Sequence, residues 1–452
     1  MTRRVAMSVP FLALAFRAPR ISVFRSDVTP EPGEPLIWVT PTIKVEDPLF
    51  AKGVIIEDRG TRYVLCAFDW CGLGSSTHLH FRDAIAEAAG SDPDHVWLHT
   101  IHQHTAPYID GDAYAVLRGV PNPPLMMSDG FIGRITERLA GAVRKAAANM
   151  RPFDSLGLGQ ARVEKVASAR RLLDGGGKAI TRYSTSGADP KMAAAPEGDI
   201  DALIRTVTLA SGGRPQVRIH FYATHPQTWC CDGRVSGDIV KAAREAMERE
   251  EGVAQIYFTG CAGDVTVGKY NDKTAEAQEG LAQRLGQGMG ASIRSTRFEA
   301  AGPLSIRMTD FRLTPKTVPR AESVAALEEL VRSEKRDGAD RYKDAITLAF
   351  NRRRRPLRAA LIETGKLSIL PLPGEPMVEF QKYAQSLRPN GFVAVAGYGD
   401  ISPGYLCTDR AMEEGGYEPG AANSGPGTEA AVKKVIQELF EGSTRRLPDY
   451  GR

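Results

Sequence analysis

Apolar runs of strand length alternate along the chain with amphipathic segments of helical spacing. The apolar runs that predict buried strands are RYVLCAFDW (62–70), HVWLHTIHQH (95–104), QVRIHFYATH (216–225), AQIYFTG (254–260), LRAALIETGKLSILPLPG (357–374) and FVAVAGYG (392–399). The helical patterns cover 77–90, 130–150, 237–250, 274–289, 375–387 and 428–440, with a long charged helix near 320–350. This alternation predicts an α/β fold, with mixed β-sheets flanked by helices.

The domain organisation follows from the same pattern, because no repeat or low-complexity linker interrupts it. The segment GADPKMAAAPEGD (187–199) is typical of a surface loop, so residues 20–452 are expected to form a single domain. Residues 1–19 begin with MTRR and continue with an apolar run, which indicates an N-terminal extension or a signal segment. We expect a soluble, cytoplasmic protein, with export as the open alternative, because no later stretch reaches the roughly 20 apolar residues of a membrane-spanning helix.

Polar or glycine-rich segments follow several of the predicted strands. Ligands of α/β proteins bind beyond the carboxyl ends of strands, so we expect these segments to surround one cavity. They are HQHTAP (102–107), THPQTW (224–229), TGCAGD (259–264), LPGE (372–375) and GYGDISPGY (397–405).

Three of the eight histidines lie within the six residues 99–104. On a strand, His102 and His104 would share one face and His99 would point to the other. Such a pair suits one metal ligand beside an acid–base group, although the same spacing also occurs without a metal. His225 ends its own predicted strand, whereas His220 faces the opposite side and is interpreted as structural. Glu375 alone would equally suit a carboxylate at a helix N-terminus.

Composition excludes some classes of function. With 58 basic and 54 acidic residues the net charge is only +4, which does not indicate a nucleic-acid partner. The basic run RRRR (352–355) is typical of a solvated edge or loop, with anion binding as the alternative. The six cysteines show no CxxC pair and are expected to be buried free thiols.

Taken in order, these segments resemble the neutral/alkaline (non-lysosomal) ceramidase family, zinc-dependent amidases that cleave the N-acyl bond of ceramide. The resemblance begins at ISVFRSDVTPEPGEPL (21–36), continues through the histidine, TGCAGDVT (259–266) and LPGE segments, and ends at the tyrosine region 405–418. It implies a ceramidase-type catalytic domain. The family's C-terminal immunoglobulin-like domain has no counterpart in this sequence, so we expect only the N-terminal catalytic domain.

The resemblance also implies a set of site residues. One zinc ion would be held by ligands at His102, His225, Glu375 and Tyr405. The catalytic residues would be His104 as acid–base group, Tyr417 as a hydroxyl that contacts the reacting group, and an arginine at Arg170, or at the adjoining Arg171. Tyr417-Glu418 stands twelve residues after Tyr405, the spacing that the family shows.

The expected function is therefore a zinc-dependent hydrolase that uses metal-activated water on an amide or ester. The family has Ser-Gly where this chain has Thr105-Ala106, and glycine where it has Pro226, so a small-molecule or lipid-like acyl substrate other than ceramide is expected. A metal-dependent lyase and a non-catalytic metal-binding protein are the alternatives. Asp264 either orients a ligand histidine or stabilises its own turn. The sequence leaves the oligomeric state open.

Overall fold

Three mixed β-sheets and the helices packed on them make up most of the fold in the computed structural model, which describes residues 19–449. The predicted N-terminal extension lies, apart from Pro19, outside the described residues. The mixed α/β architecture predicted from the sequence is confirmed, while the assignment of 20–452 to one domain stays a prediction.

The strands are numbered in chain order. They are β1 (Arg20–Asp27), β2 (Lys44–Val45), β3 (Phe50–Asp58), β4 (Thr61–Phe68), β5 (Gly72–Gly74), β6 (Val96–Thr100), β7 (Tyr108–Asp110), β8 (Arg151–Pro152), β9 (Ser155–Arg162), β10 (Ser168–Ala169), β11 (Arg171–Leu173), β12 (Ala179–Thr181), β13 (Leu203–Ser211), β14 (Arg214–Tyr222), β15 (Arg234–Val235), β16 (Ala254–Thr259), β17 (Val265–Thr266), β18 (Arg297–Ala300), β19 (Ser305–Phe311), β20 (Leu357–Thr364), β21 (Leu367–Pro371), β22 (Glu375–Pro376), β23 (Phe392–Ala396) and β24 (Tyr405–Leu406).

The helices are numbered in the same way. They are α1 (Ser75–Ala89), α2 (Gly111–Leu117), α3 (Asp129–Ala148), α4 (Pro190–Ala194), α5 (Asp238–Glu251), α6 (Ala275–Arg294), α7 (Val324–Arg332), α8 (Gly338–Arg352), α9 (Val378–Ser386), α10 (Asp409–Glu414), α11 (Tyr417–Ala421) and α12 (Thr428–Glu441). Short 3-10 turns form at Ile37–Val39, Pro93–His95 and Ser186–Ala188.

The three large sheets share one design. Their strand orders are β6-β4-β3-β1-β8, β16-β14-β13-β9-β18 and β19-β20-β21-β23. Most neighbouring strands are antiparallel, but each sheet carries one parallel pair at its edge, namely β4–β6, β14–β16 and β21–β23. The segments that leave the carboxyl ends of these parallel pairs meet, and they form the site described below.

Local signals account for many of the helix ends. Gly90 closes α1 in the left-handed conformation at φ 64°, as a glycine at that position does readily. The side chain of Ser128 caps α3 by accepting a hydrogen bond from the backbone N–H of Phe131. The predicted long helix near 320–350 is wrong: it is two helices, α7 and α8, because Asp337 caps a new helix after a break.

Other predicted elements differ at points that matter for the site. The strand predicted to reach residue 104 ends at Thr100, and the one predicted to reach residue 225 ends at Tyr222. The helix predicted from Glu375 begins at Val378, because Glu375 and Pro376 pair with β24 as a short strand. The predicted surface loop 187–199 contains the short helix α4.

The basic run and the cysteines have structural explanations. Arg352 pairs with Glu328, Arg353 with Asp400 and Arg355 with Asp112, so three of the four arginines are taken up by ion pairs. Four cysteines are buried free thiols as expected, but that expectation is wrong for the adjacent Cys230 and Cys231, which are exposed and joined as a disulfide. Among residues 19–449, no helix is long and apolar enough to cross a membrane.

Candidate metal centre

The ends of the parallel strand pairs bring His102, His225 and Glu375 together in the protein interior. The Nε2 atoms of His102 and His225 lie 3.2 and 3.3 Å from the same carboxylate oxygen, Oε2 of Glu375. The three residues are 2%, 0% and 6% exposed. Three groups distant in sequence therefore converge on one buried point.

Backbone carbonyls fix which nitrogen of each ligand-type histidine carries hydrogen. Nδ1 of His102 lies 2.6 Å from the carbonyl oxygen of Cys71, and Nδ1 of His225 lies 2.6 Å from that of Ala262. A carbonyl oxygen only accepts, so each Nδ1 donates. In the neutral imidazoles the lone pairs are therefore at Nε2, facing Glu375, which is the tautomer of a metal-ligating histidine.

The backbone at His102 has an uncommon conformation. After β6 ends at Thr100, the backbone N–H of His102 donates to the carbonyl oxygen of Trp70 over 3.0 Å, and His102 adopts φ 70°. Left-handed backbone is costly for a residue other than glycine and is concentrated at functional sites. The prediction that His102 and His104 share one strand face is thus wrong, because the strand ends before either residue. Their rings are nevertheless only 5.1 Å apart.

Glu375 and Tyr405 are neighbours because β22 and β24 pair in parallel, with these two residues in register. The ring of Tyr405 stacks on that of His225 with 6.4 Å between their centroids. Its hydroxyl accepts a hydrogen bond of 2.9 Å from Nη1 of Arg170. Tyr405 thus borders the two histidines and the carboxylate, and its role as a fourth ligand stays a prediction.

The charges in the centre are strongly perturbed. Burial alone would raise the pKa of Glu375, but His102 and His225 hold it well below its ordinary value, so the carboxylate is ionised. Burial also acts to lower the pKa of His102, yet Cys71 and Glu375 raise it to about 10. Burial and the charge of Arg170 lower the pKa of His225 to about 3. A cation bound beside Glu375 would therefore compete with a proton for Nε2 of His102.

Unpaired polar atoms test whether these residues suit a metal. Nε2 of His225, Oε2 of Glu375 and Nε2 of His104 are buried without a hydrogen-bond partner among residues 19–449. Buried polar atoms without partners are rare and costly, and the first two of these face each other at one point, which indicates a missing binding partner. Two imidazoles and one carboxylate are a donor set that zinc takes in hydrolases. The residues present therefore suit zinc.

A second cluster shares His102 but offers poorer ligands. Atoms of Cys71, His102 and His104 lie within 4.8 Å of one another. Burial raises the pKa of the Cys71 thiol, and Nδ1 of His102 already donates to a carbonyl on that side. Two of its three groups, the Cys71 thiol and Nδ1 of His102, thus carry hydrogens, so the cluster with Glu375 is the better metal candidate.

His104 lies beside the cluster of His102, His225 and Glu375 without belonging to it. Its ring centroid is 5.9 Å from that of His225, and its Nδ1 is 3.9 Å from Sγ of Cys230. Burial, together with the nearby His102 and His225, holds the pKa of His104 well below its ordinary value. At neutral pH the side chain is uncharged and able to accept a proton.

Arg170 lies at the predicted site, whereas Arg171 is turned away from it. The guanidinium of Arg170 lies 5.7 Å from the ring of Tyr405 and 5.6 Å from that of Tyr417, and its Nε is 3.8 Å from Glu418. Burial acts to lower the pKa of Arg170, but Tyr405 and Glu418 raise it. Arg171 pairs instead with Glu414 and Glu418 at 3.0 and 2.9 Å.

A cavity of about 340 Å³ opens onto the cluster. His102, His104, Glu375, Tyr405 and Tyr417 all line it. Its other wall comes from the 3-10 turn at Ile37–Val39 and from α8, which contribute Trp38 and Ile346. A larger cavity of about 670 Å³ lies elsewhere and is lined by none of the predicted site residues.

Several contributors to the site were not predicted. Tyr398, within the segment GYGDISPGY, packs its ring 4.4 Å from that of His102 and places its hydroxyl 3.4 Å from Nδ1 of His225. The segment TGCAGDVT (259–266) contacts Nδ1 of His225 through the carbonyls of Ala262 and Val265 rather than through the Asp264 carboxylate. Asp264 accepts a hydrogen bond from the backbone N–H of Val378 instead.

Comparisons with known proteins place this geometry in context. No family model matches the chain, and the search of curated proteins found no match. Among solved structures, the chain is similar to a ceramidase complexed with C2, with a TM-score of 0.73, 16% identity, and coverage of 96% of this chain and 78% of that one. It is also similar to the neutral ceramidase from Pseudomonas aeruginosa, with a TM-score of 0.70, 17% identity, and coverage of 96% and 76%. The chain has the mixed α/β fold of these ceramidases.

Proposed function

We propose that the chain is a zinc-dependent hydrolase that cleaves an amide or ester bond, with ceramidase-like chemistry on a substrate other than ceramide. The observation that carries this proposal is the convergence of Nε2 of His102, Nε2 of His225 and Oε2 of Glu375 at one buried point. That point lies on a cavity also lined by the neutral His104. The ceramidase fold supports the reaction class by analogy only, since one fold can host several reactions.

His102, His225 and Glu375 would hold the zinc ion, with the Tyr405 hydroxyl as the fourth protein ligand. When bound, zinc would supply Lewis acidity, which lowers the pKa of water and polarises an acyl carbonyl. The carbonyls of Cys71 and Ala262 hold the two imidazoles in the tautomer that leaves Nε2 free. The ligand geometry is therefore set before any cation arrives, which reduces the cost of binding.

His104 would act as the acid–base group. Its Nε2 has no partner among residues 19–449, and the lowered pKa keeps the imidazole uncharged at neutral pH, so one ring nitrogen is free to accept a proton. It would take a proton from the attacking water at Nε2 and return it to the leaving nitrogen or oxygen.

Tyr417 and Arg170 would stabilise negative charge on the acyl oxygen. Tyr417 lines the cavity and is 38% exposed, and the partial loss of water around its phenol raises its pKa, which keeps the hydroxyl protonated as a donor. The Arg170 guanidinium lies beside both tyrosine rings and contributes a fixed positive charge.

The test combines zinc-loaded protein with a panel of amides and esters of varied acyl length, assayed in isotope-labelled water. A hydrolase places the label in the carboxylic acid product, whereas a lyase does not. The variant His104→Gln removes the base but none of the proposed ligands, so we expect it to keep zinc and to lose at least about 100-fold in kcat. Turnover without label in the acid, or a His104→Gln variant with full activity, would contradict the proposal.

A further inference from the structure

The cavity that opens onto the proposed ligands also holds an arginine that the proposed chemistry does not use. Arg320 lines the cavity together with Tyr417, and its side chain is only 17% exposed. The hydroxyl proposed to contact the reacting group, that of Tyr417, belongs to the lining of the same cavity. Arg320 is thus within reach of a molecule bound at the metal centre.

The guanidinium of Arg320 is poorly satisfied by the protein. Its one ion pair within the described chain, to Asp344, is 3.9 Å long. Asp344 is already occupied by Arg336, whose Nε lies 2.5 Å away. An arginine offers five N–H donors, and a half-buried one without close partners has lost hydration without compensation.

Arg170 provides a direct contrast in the same cavity. Its hydrogen bond to Tyr405 and its pairing with Glu418 outweigh the effect of burial, so its pKa is raised. For Arg320, burial outweighs the effect of Asp344, and its pKa is lowered. The protein therefore supplies close hydrogen-bond and ion-pair partners to Arg170, whereas the N–H donors of Arg320 are available to a ligand.

The remaining charges at the cavity mouth cancel. Nζ of Lys343 lies 3.4 Å from Asp340, and the same ammonium lies 4.9 Å from the ring centroid of Trp38. Among the described residues that line this wall, Arg320 is thus the cation that lacks a close carboxylate, which suits a monoanion. The Asp340 carboxylate beside it disfavours a dianion such as a phosphate monoester.

The rest of the wall is apolar and fixed in place. Trp38 stacks on Tyr108 with 5.5 Å between ring centroids, and Ile37 and Ile346 lie alongside. Such a surface suits a hydrocarbon chain, and a cavity of about 340 Å³ limits that chain to a short one. A substrate that fills this cavity would therefore combine a short hydrocarbon chain with a single negative charge.

We propose that the substrate is a small amide with a carboxylate on its amine part, an N-acyl amino acid with a short acyl chain, and that Arg320 binds that carboxylate. The planar guanidinium matches a carboxylate in geometry and can bind both of its oxygens. This inference rests on the proposed hydrolase function and narrows its substrate class. Arg320 is a specificity-determining residue in this account and takes no part in bond cleavage.

The test compares two probes of equal acyl length, N-hexanoylglycine and N-hexanoylethanolamine. The amine part of the first ends in a carboxylate, and that of the second ends in a hydroxyl. They are assayed with the zinc-loaded wild type, Arg320→Gln and Arg320→Lys. We expect Arg320→Gln to lower kcat/KM for N-hexanoylglycine about 10- to 100-fold, chiefly through KM, and to change N-hexanoylethanolamine less than about 3-fold. Arg320→Lys should recover part of the loss. The control Arg332→Gln, at an exposed arginine at the end of α7, should change neither.

The outcomes separate this inference from the function on which it rests. Equal hydrolysis of both probes with no effect of Arg320→Gln would overturn the inference and leave the hydrolase intact. If neither probe is hydrolysed, calorimetric titration of N-hexanoylglycine into zinc-loaded protein decides the point. Binding that Arg320→Gln weakens at least about 10-fold supports the inference, whereas no binding, or equal binding by both proteins through the metal alone, overturns it.

Discussion

The close approach of two backbone segments behind the metal centre gives a sharp steric prediction, through the substitution Gly263→Ala. A Cβ atom at Gly263 would lie 2.6 Å from the carbonyl oxygen of Glu375 and 3.1 Å from that of Pro376. The backbone N–H of Gly263 also donates to the Pro376 carbonyl over 2.9 Å, so the two segments are tied together. Ordinary contact begins at 3.4 Å, so the segments must separate by roughly 0.8 Å.

That separation acts on both sides of the proposed zinc site. One segment carries Glu375, and the other supplies the Ala262 carbonyl that orients His225. Metal sites tolerate displacements of only about 0.5 Å, so we expect zinc affinity to fall roughly 10- to 100-fold. The overpacked backbone should also lower the free energy of unfolding of the metal-free protein by about 1–3 kcal/mol.

The assay is a zinc titration against a competing chromophoric chelator, with urea unfolding in a chelator measured in parallel. Gly286→Ala, inside α6, is the matched control, because a Cβ at Gly286 would meet nothing closer than Ala243 at 3.8 Å. It should retain zinc affinity and gain roughly 0.5–1 kcal/mol of stability. Unchanged zinc affinity in Gly263→Ala would refute the argument that these two segments position the ligands.

Three further predictions concern groups outside the metal cluster. His220→Ala should lower the free energy of unfolding by about 3 kcal/mol, because it removes two buried hydrogen bonds, to Thr206 and Gln255, while bound zinc measured by mass spectrometry stays constant. Burial raises the pKa of Asp110 from 3.8 to about 7, so between these pH values the folded state binds more protons than the unfolded state. The contribution of Asp110 to the free energy of unfolding is therefore complete below about pH 4 and is lost as pH rises through 7. In Asp110→Asn, the free energy of unfolding measured with urea should fall less between about pH 4 and 7. An unchanged dependence on pH would contradict this prediction. Arg353→Gln breaks the ion pair with Asp400 and should cost about 3 kcal/mol, whereas the exposed Arg354 should tolerate the same change in thermal and urea unfolding.

Local pattern was sufficient for the fold class and for the segments that meet at the site, whereas the family resemblance was needed to name the ligand-type residues within them. Apolar runs located the strands of the parallel pairs, and polar segments after them located His102, His225 and Glu375. The reasoning about orientation failed, because β6 ends two residues before His102 and the chain then enters left-handed backbone. No strand periodicity predicts that change of direction.

Long-range contacts account for what the sequence did not reveal. Pro376 and Glu375 read locally as the start of a helix, but the distant Tyr405 segment recruits them into a parallel pair. Trp38 and Arg320 belong to segments without any motif, and only the folded chain shows that they face the cavity. Tyr398 lay in a segment singled out by its glycines, which was the available signal for it.

The most direct test of the zinc site is metal content, measured by mass spectrometry on purified protein after zinc loading and dialysis. The wild type, His102→Ala and His225→Ala should be compared with His220→Ala, which removes a buried histidine outside the cluster. The account predicts close to one zinc per wild-type chain, a sharp loss in the first two variants, and no loss in the third. Zinc that fails to bind the wild type, or that is retained in both His102→Ala and His225→Ala, would contradict it.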